Sequence, residues 1–525
     1  MTNENTAPTQ PKIKWQDILP LLFFVVYFAA GLLIFDDYGV SSDEGRQNIK
    51  AQYNLEYISG KSDTLLTYND RYYGVVLAIP MYIYGNWVND PRTDYLSRHL
   101  LTFLIFFGSA ILLYKTLRRL GFTWVFSLLG VSMYILQPHI FSHSFYNIKD
   151  IPFLALFTTA IYCQVRWLQQ PNTRNLLLTA FVAGLLVVFR IQGFVFWVAF
   201  ALTILLTLAV VDFKKMLLAG AIFVGVALAS LYVLMPAMWS DPINGLATFL
   251  SLKLFEWKGK ELFEGTYFVP ADLPFYYIPK YIAITTPLMF VGVMLTGAGT
   301  WLLRLFKQIK QRGSEWILGF NFLFLAAFPM LLIMITKPNI YNGWRHAFFI
   351  YAPLVILGVY GARWLWELAN HTALSAAMKQ AASTTLILLW VVQTIFIGKF
   401  YIESHPFEHV YYNALAGNSL AKISSQYSMD YWGLCYRASM EKILAEDSKP
   451  VIPITSASDV IIGLNYKLLT SQQQQRLQLV NMSDHPDYYI THFRYGQNEQ
   501  PDGYTLESAI TVEDANICGI YKKNP

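Results

Sequence analysis

The chain has 525 residues, of which 55% are hydrophobic and 14% are charged, whereas a soluble domain carries about 25% charged residues. Aromatic residues make up 16% of the chain, and the mean hydropathy is +0.36. A water-soluble protein of this size would have to expose much of that apolar surface, so soluble enzymes, disordered chains and fibrous proteins are excluded. The composition predicts a polytopic α-helical membrane protein.

The net charge of +5 is distributed unevenly along the chain. Residues 1–400 contain 30 basic and 20 acidic residues, whereas residues 401–525 contain 9 and 14. The two regions are therefore expected to lie in different surroundings. The small net charge gives no indication of nucleic-acid binding, and no nucleic-acid partner is expected.

Apolar runs long enough to cross a bilayer begin after a polar N-terminal tail, residues 1–14. The first run, 15–35, has no small-residue cleavage site and is interpreted as an uncleaved span. Further candidate spans bring the total to eleven: 97–117, 122–140, 150–168, 174–190, 191–211, 216–236, 280–303, 315–336, 344–362 and 381–400. The segment 72–88 contains Pro80, Gly85 and several tyrosines, and it is predicted to be an interfacial helix rather than a crossing.

Basic residues cluster in the loops between alternate spans, and this clustering predicts the orientation. With the N-terminus in the cytoplasm, the inner loops contain these cations: Lys115, Arg118, Arg119, Arg166, Arg174, Lys214, Lys215, Arg304, Lys307, Lys310, Arg312, Arg363 and Lys379. Eleven crossings then place two long loops, 36–96 and 237–279, and the acidic C-terminal region on the extracytoplasmic side. The predicted organisation is a cytoplasmic tail (1–14), a transmembrane domain (15–400) and an extracytoplasmic domain (401–525).

The C-terminal region differs from the spans in its apolar pattern. Short strand-like runs occur at 451–455, 488–492 and 517–521, with helix-like stretches between them. This pattern predicts a small α/β domain over 401–525, within the usual size range of domains.

Three cysteines are too few for a disulfide scaffold or a cysteine-rich metal site. Cys163 lies in an apolar span and is interpreted as a small core residue. Cys435 and Cys518 share the C-terminal region and could pair in an oxidising compartment, although spacing alone does not give their geometry.

Four carboxylates lie within nine residues of the first outer loop: Asp36, Asp37, Asp43 and Glu44. One interpretation is a solvated loop in which Ser42 or Asp43 caps the following helix. The other is a general base or cation ligand at the level of the lipid head groups. A base needs a partly desolvated carboxylate that reaches an acceptor hydroxyl, and the membrane edge provides that environment.

Other outer turns also carry polar residues that could take part in binding or catalysis. His139 and His143 are four residues apart and would share a helix face, which permits a metal pair, but the glutamate of a zinc-protease motif is missing. Lys149 and Asp150 could form an ordinary interfacial pair, and Asp150 is also placed to cap the next span. Arg190 at an outer span end is explained equally well by snorkelling.

Arg345 and His346 stand together at the outer entry of an apolar span, where positive charge is least expected. Arginine offers a planar, permanently charged fork for phosphate, and histidine adds a proton or a hydrogen bond. Carboxylates and cations at one membrane face favour a reaction between a lipid-borne phosphate ester and a polar acceptor. A transporter should instead carry ionisable groups near mid-span, and the span interiors are almost free of charge.

Five stretches in order carry a family pattern: Asp43-Glu44, residues 143–153, residues 273–279 with Thr286-Pro287, residues 341–346, and residues 430–433. With these motifs the chain resembles the family 39 glycosyltransferases, the dolichyl-phosphate-mannose–protein mannosyltransferase-like group of the GT-C class, and in particular its bacterial members. Where the family usually has Asn-Pro-Lys-Asp, this chain has isoleucine at position 148. The chain leaves no room for the extra lumenal module of the eukaryotic protein mannosyltransferases, so a protein acceptor is not assumed.

The resemblance implies a GT-C-like catalytic domain over 15–400 that transfers a sugar, a hexose such as mannose, from a polyprenyl- or dolichyl-phosphate-linked donor. Transfer would proceed with inversion at the extracytoplasmic face. Asp43 would remove the proton of the acceptor hydroxyl, and Glu44 beside it would orient the sugar or acceptor. The cations implied at the leaving phosphate are Arg345, His346, Lys149 and Arg190.

Asp150, Asp430, Tyr431 and Trp432 are candidates for acceptor or sugar contact, and for the last three, packing against the membrane domain is the alternative. No cofactor is required by the pattern. Some GT-C relatives bind a divalent cation, and a metal role for Glu44 or His143 stays open. The expected partners are the lipid-linked donor, membrane lipid, and a protein, lipid or glycan acceptor.

The resemblance places the chain in a bacterial inner membrane as a multi-pass protein. Two other functions remain as alternatives: a transporter or flippase of lipid-linked sugars, and a polymerase or ligase of surface polysaccharide. An inactive membrane scaffold is disfavoured because Asp43 and Arg345 are both present.

Overall fold

The structure, a computed structural model, describes residues 15–207, 212–251, 257–308, 313–494 and 500–525. The predicted cytoplasmic tail, 1–14, lies outside the described residues. Helices dominate the described chain up to Ser404: α1 (Trp15–Ile34), α2 (Ser42–Ile58), α3 (Thr64–Thr67), α4 (Ala78–Val88), α5 (Pro91–Arg119), α6 (Trp124–Ile135), α7 (Pro138–Tyr146), α8 (Asp150–Gln169), α9 (Thr173–Phe189), α10 (Phe194–Thr207), α11 (Phe213–Val233), α12 (Pro242–Leu250), α13 (Tyr277–Thr285), α14 (Leu288–Lys307), α15 (Ser314–Thr336), α16 (Tyr351–Ala369) and α17 (Ala376–Ser404).

Eight helices in the described ranges are long and apolar enough to cross a membrane: α1, α5, α8, α11, α14, α15, α16 together with the turn Arg345–Ile350 before it, and α17. The pair α6 and α7 forms a ninth candidate, broken by a 66° bend, and α9 and α10 are shorter apolar helices. Each of the eleven predicted spans overlaps one of these elements, but the number of crossings stays a prediction. The polytopic helical fold itself is confirmed.

The bend between α6 and α7 has a local cause. Pro138 begins α7 and cannot continue the hydrogen-bond ladder of α6, while the side chain of Gln137 accepts a hydrogen bond from the backbone N–H of Ile140 at 2.6 Å. All nine residues of α7 are buried. The bend therefore turns His139 and His143 into the protein instead of along a straight span.

Helix α2 begins at Ser42, immediately after the first span and its turn. Ser41 is the N-cap, not Ser42 or Asp43 as one sequence interpretation had it, and its backbone N–H donates to Glu44 Oε1 at 3.0 Å. This capping box turns Glu44 inward. Asp43, Gln47 and Lys50 then share another face of the helix, because they are spaced at i, i+4 and i+7.

The segment 72–88, predicted to be interfacial, is helical only from Ala78. The residues before it form turns that pack beside α2 and α9. On α4 the side chains of Ile83 and Trp87 are exposed, as expected of a helix that lies at the membrane surface.

The C-terminal region folds around a five-stranded mixed sheet. Its described helices and strands are α18 (Leu420–Ser424), α19 (Cys435–Glu446), β3 (Ile452–Ser456), α20 (Asp459–Tyr466), α21 (Ser471–Arg476), β4 (Leu477–Leu479), β5 (Tyr488–Thr491), β6 (Tyr504–Val512) and β7 (Ala515–Lys523); the two earlier strands, β1 (Glu261–Phe263) and β2 (Thr266–Phe268), form a separate hairpin. The order is β4-β3-β5-β7-β6, parallel from β4 to β5 and antiparallel across β5, β7 and β6. The predicted small α/β domain is confirmed.

The three strands that the sequence predicted correspond to β3, β5 and β7. The hairpin and the edge strands β4 and β6 were missed. β6 exposes three of its first four residues and β4 has three residues, so neither presents the apolar run that identifies a buried strand. The remaining short helical turns are 3₁₀: Ile191–Gly193, Pro236–Met238, Pro270–Asp272, Glu408–Val410 and Met482–Asp484.

Cys435 and Cys518 form a disulfide that joins the first turn of α19 to β7, with their Cα atoms 6.0 Å apart. Cys163 is a buried free thiol, as predicted. The spacing of the cysteines left this pairing open, because only the packing of α19 against the sheet brings them together.

Removal of the disulfide is expected to destabilise the C-terminal domain. A loop of this length, closed by cysteines with a sequence separation of 83, contributes about 2–4 kcal/mol in the typical case. We expect the double variant Cys435→Ala/Cys518→Ala to show a lower thermal midpoint in detergent, whereas Cys163→Ala, which breaks no bond, shows a smaller change. Equal midpoints for the wild type and the double variant would contradict the pairing.

The C-terminal domain forms hydrogen bonds with the loop that leads into α2. Asn465 of α20 accepts a hydrogen bond from the backbone N–H of Val40 at 2.9 Å and donates to its carbonyl at 3.2 Å. Arg437 of α19 donates to the carbonyl of Tyr38 at 3.1 Å. Gly39 lies so close to Leu434 that a Cβ would meet its carbonyl oxygen at 2.5 Å. The start of α2 is therefore positioned by the other end of the chain.

Candidate active site

Two carboxylate and two guanidinium groups from distant parts of the chain meet at one site. Arg345 Nη1 lies 3.3 Å from Asp43 Oδ2 and 3.0 Å from Asp150 Oδ2. Arg190 forms an ion pair with Asp150 Oδ1. Asp150 and Arg345 are each 2% exposed, whereas the side chain of Asp43 is 18% exposed. Asp43 is therefore the member of this cluster that a ligand can reach.

Backbone geometry places the charged groups at helix ends. Asp150 is the first residue of α8, and its backbone N–H donates to Asn147 Oδ1 at 2.8 Å. Arg190 is the C-cap of α9. Asp43 lies in the first turn of α2, where the unpaired N–H groups of the helix favour a negative charge.

Arg345 follows a tight turn that sequence reasoning did not explain. Asn342 and Gly343 both have positive φ values, 59° and 66°, and their backbone N–H groups donate to Glu261 at 3.0 and 3.2 Å. Tyr277 donates to the same carboxylate at 2.8 Å. Glu261 thus holds the turn in place, and nothing in the sequence pattern links it to residues about eighty positions away.

The guanidinium of Arg345 lies between two aromatic rings. Its Cζ is 5.1 Å from the centroid of Tyr341 and 5.1 Å from that of Trp432. Such cation–π contacts hold the planar group without using its N–H donors. Trp432 and Tyr431 are buried at the seam between the two domains.

A chain of buried hydrogen bonds connects the C-terminal domain to Asp150. Tyr431 Oη lies 3.0 Å from His143 Nε2, and His143 Nδ1 lies 2.9 Å from the amide nitrogen of Asn147. The same amide donates to Asp150 Oδ2 at 2.9 Å. Because Asn147 donates to Nδ1, the proton of His143 must be on Nε2, and Tyr431 accepts it. The network orients Asp150 and through it Arg345.

Tyr431→Phe is expected to reduce both stability and turnover without abolishing either. The change leaves the buried Nε2–H of His143 without its acceptor, and an unsatisfied buried donor costs about 1–3 kcal/mol. The measurement is the thermal midpoint together with the rate of sugar transfer. Tyr488→Phe, which removes a hydroxyl bonded to Asp447 at the far side of the C-terminal domain, is the matched control. Equal transfer rates for the two variants would argue against the network.

Opposing effects set the charge of Asp43. Burial raises the pKa of this carboxyl, but the nearby Lys149 and Arg345 lower it more, and the result is a pKa of about 2. Asp43 is therefore ionised throughout the physiological pH range. The stability that its ion pair contributes is present above the usual pKa of an aspartate and is lost only as the pH falls towards 2.

Lys149 lies on the other side of the cluster, with its ammonium 4.6 Å from the centroid of Tyr73. The ammonium of Lys50 approaches the same ring at 5.1 Å. Burial, followed by repulsion from Lys149, lowers the pKa of Lys50 to about 7. The sequence motifs contain neither Lys50 nor Tyr73, although the spacing of Lys50 from Asp43 on one helix face was a readable signal.

The structure brings five of the predicted residues together: Asp43, Lys149, Asp150, Arg190 and Arg345. His346 also lies close enough to Asp150 for their charges to interact, and its ring packs edge-on against Tyr341 at 4.9 Å. The ring of Trp432 packs against the guanidinium of Arg345, and the hydroxyl of Tyr431 hydrogen-bonds to His143. These contacts support the interpretation that both residues pack against the membrane domain.

Glu44 and Asp430 make contacts outside the Arg345 cluster. Glu44 is fully buried, caps α2 through Ser41 and lies 3.4 Å from His99. Asp430 accepts a hydrogen bond from the backbone N–H of Cys435 at 2.8 Å at the start of α19. Burial raises the pKa of Asp430, but His409 and then this backbone hydrogen bond lower it more, so the pKa lies below its usual value.

The two histidines considered for a metal pair do not fit one. His139 Nε2 lies 3.0 Å from the carbonyl of Tyr411, and both ring nitrogens of His143 are engaged by Asn147 and Tyr431. Within the described ranges, the structure has no group of three or more histidine, cysteine, aspartate or glutamate side chains arranged to hold a metal ion.

Comparisons with known proteins agree with the motifs. Residues 71–240 match the family model described as dolichyl-phosphate-mannose-protein mannosyltransferase. This stretch contains Lys149, Asp150 and Arg190, whereas Asp43 and Arg345 lie outside it. A comparison with curated protein sequences returns no match.

Two solved structures of ArnT from Cupriavidus metallidurans are similar to this chain. The apo structure has 12% sequence identity over 95% of this chain and 98% of that chain, with a TM-score of 0.49. The structure bound to undecaprenyl phosphate has 11% identity over 95% of this chain and 97% of that chain, with a TM-score of 0.46.

The family match and the long apolar helices agree with the resemblance that the motifs indicated. The protein is an integral, multi-pass membrane protein. Its residues 71–240 are similar to the dolichyl-phosphate-mannose-protein mannosyltransferase family, and this match supports a glycosyltransferase.

Proposed function

We propose that the protein transfers a sugar, a hexose such as mannose, from a polyprenyl- or dolichyl-phosphate-linked donor to an acceptor hydroxyl at the extracytoplasmic face. The observation that carries this proposal is the cluster in which the accessible carboxylate Asp43 lies against Arg345 and Asp150 and beside Lys149. A base and fixed cations are the two components that such a transfer needs.

In the proposed reaction Asp43 accepts the proton of the acceptor hydroxyl. The acceptor oxygen attacks the anomeric carbon from the face opposite the lipid phosphate and forms the new glycosidic bond with inversion. The bond between that carbon and the phosphate oxygen breaks, and the oxygen keeps the electron pair. The lipid phosphate therefore goes from a singly charged diester to a doubly charged monoester.

The cations act on that developing charge. Arg345 and Arg190 are held in place by Asp150, so their positions do not need to reorganise during the reaction, which is the condition for strong electrostatic stabilisation. Removing one such donor in other enzymes slows the reaction by about two to three orders of magnitude. Lys149 is available to a ligand, because among the described residues its ammonium makes no ion pair or hydrogen bond and lies over the ring of Tyr73.

Donor binding also affects the base. The pKa of Asp43 is low because Lys149 and Arg345 are nearby. A phosphate that binds to these cations offsets their positive charge and makes Asp43 a stronger base. On this proposal the base becomes effective only when the donor is bound.

The placement of charge favours a transferase over a transporter. Asp150 is the first residue of a span, Arg190 follows the end of α9, and Arg345 precedes α16. Transport would require ionisable groups along the middle of the spans. The charged groups of the cluster stand at helix ends around a single site.

We infer an orientation with the N-terminus in the cytoplasm and the site outside, in a bacterial inner membrane. Two observations support it. The cations Arg118 and Arg119 end α5 on the side away from the cluster, as the positive-inside rule requires, and the disulfide belongs to an oxidising compartment. On the same basis, residues 15–400 form the catalytic membrane domain and residues 401–525 the extracytoplasmic domain.

The deciding experiment supplies the purified protein with polyprenyl-phosphate sugars and a panel of protein, lipid and glycan acceptors. Formation of a glycosylated acceptor and free polyprenyl phosphate supports the proposal. Export or flipping of the intact lipid-linked sugar in vesicles, without new glycosidic bonds, would instead identify a transporter. Elongation of a repeating glycan would identify a polymerase or ligase.

A further inference from the structure

A small open pocket of about 20 Å³ lies beside the site, between α2, the turns before α4, and the start of α8. Its polar wall contains Gln47, Lys50 and Lys149, and Tyr73 lies between the two lysines. Lys50 has only 2% of its surface exposed. Within the described ranges, neither ammonium group makes an ion pair or a hydrogen bond to a protein group.

A buried ammonium without an ion-pair partner is unfavourable, because burying a charge requires a partner to offset its lost hydration. Burial, and after it repulsion from Lys149, lower the pKa of Lys50, and the charges of Asp70 and Asp43 offset this only in part. Such an arrangement lowers stability in the empty protein, as is common at binding sites. An anion with several acceptor oxygens would relieve it.

The arginines of the cluster differ from these lysines because they are already neutralised. Arg190 is paired with Asp150, and Arg345 is shared between Asp150 and Asp43. The lysine pocket therefore adds positive charge that is outside any ion pair, next to the arginines of the cluster.

The face of α2 joins the pocket to the base. Asp43, Gln47 and Lys50 follow one another along this face, and Lys50 lies about 10 Å along the helix axis from Asp43. A sugar with its anomeric carbon between the acceptor and the phosphate would span this distance. The phosphate would then meet Lys50 and Lys149 while the acceptor hydroxyl meets Asp43.

The rest of the pocket wall is apolar. Leu77, Met81 and Phe189 line it. On the same helix as Met81, the side chains of Ile83 and Trp87 are exposed and apolar. A ligand here has a phosphate at one end and a hydrocarbon chain at the other.

We propose that Lys50, acting with Lys149, binds the phosphate of the lipid donor and of its lipid-phosphate product, with the first part of the hydrocarbon chain against Leu77, Met81 and Phe189. This inference rests on the proposed function and assigns its phosphate site. Because the product carries one more negative charge than the donor, the two lysines bind the product more tightly, and so they also stabilise the transition state.

The test measures equilibrium binding of polyprenyl phosphate to the purified protein in lipid nanodiscs. Lys50→Gln is expected to weaken binding by about tenfold or more, as for the loss of a hydrogen bond to a charged group, and Lys50→Arg to retain most of the affinity. Lys61→Gln, on the exposed chain just after the same helix, is the matched control and should bind like the wild type. Equal affinity of Lys50→Gln and the wild type would overturn the inference.

Two further ligands identify the source of the phosphate. Inorganic phosphate at millimolar concentration should compete weakly, and polyprenol, which lacks the phosphate, should not compete. If inorganic phosphate bound as tightly as the lipid, the apolar wall would have no role and the proposed ligand would be wrong. Lys50→Gln should also raise the thermal midpoint of the empty protein, because it removes repulsion, whereas a purely structural lysine would lower it on removal.

Failure of the inference and failure of the proposed function are distinguishable. If the wild type binds no polyprenyl phosphate and transfers no sugar, the proposed function fails and the pocket assignment fails with it. If the wild type binds and transfers, but Lys50→Gln does both equally well, the proposed function stands and the role of Lys50 is wrong.

Discussion

Asp43→Asn is expected to abolish measurable sugar transfer while leaving the binding of polyprenyl phosphate intact. Asparagine has the same shape and can still accept a hydrogen bond from Arg345, but it cannot take up the proton of an acceptor hydroxyl. Loss of a general base slows reactions by about 10²–10⁴-fold. The partial exposure of Asp43 limits the structural effect of the change.

The measurement compares initial rates of transfer for purified wild type and variant at saturating donor. Asp63→Asn is the matched control, because this exposed aspartate lies in the same outer loop and makes no side-chain cap. Undiminished transfer by Asp43→Asn would show that the assigned base is wrong. Loss of lipid-phosphate binding in the same variant would mean that Asp43 acts on the donor instead.

Glu44→Gln separates the two neighbouring carboxylates. The resemblance gives Glu44 an orienting role, but its side chain is buried and caps α2. This variant is expected to lower the thermal midpoint more than Asp43→Asn does. A stable Glu44→Gln protein with no transfer would instead support the orienting role.

Arg345→Ala is expected to have the second large effect, on stability and on transfer together. The change removes the ion-pair partner of Asp43, which keeps only the more distant charge of Lys149, and leaves Asp150 with Arg190. Removing one partner of a buried ion pair costs roughly 3–5 kcal/mol. The rings of Tyr341 and Trp432 also lose their contacts with the guanidinium.

A double variant distinguishes catalysis from stability. In Arg345→Gln/Asp43→Asn both members of one ion pair are neutralised while Asp150 keeps Arg190, so the thermal midpoint should recover towards that of the wild type, while transfer stays absent. Arg363→Gln is the control, since this exposed arginine in α16 pairs only with Glu367 in the described structure. Wild-type donor binding and turnover in Arg345→Ala would remove Arg345 from the phosphate site.

The parts of the fold that follow from local patterns were predictable from the sequence. Long apolar runs required helices, and the apolar core of β3, β5 and β7 was visible as three short runs. The hairpin around Glu261 was not, because its function is to bind the backbone of a turn about eighty residues away. Local propensity contains no information about such contacts.

The candidate site shows the same division. Asp43, Asp150 and Arg345 stood out because charge at a membrane edge is rare, and the structure brings them together. Lys50 did not, because a lysine in a polar helix is ordinary until the fold buries it beside Lys149. The resemblance gave Glu44 a role in orienting the sugar or acceptor because it adjoins Asp43. In the structure the capping box with Ser41 turns the Glu44 side chain inward, away from Asp43.

The hydrogen bonds between the C-terminal domain and the loop before α2 have a consequence for biosynthesis. Asn465 and Val40 are 425 positions apart in the chain, so α2 cannot take its final position until almost the whole protein has been made. Contacts of such long range form late in folding. The nascent chain would thus sit in the membrane, exposed to lipid-linked sugars, with its base not yet aligned. Only a completed molecule could begin to turn over.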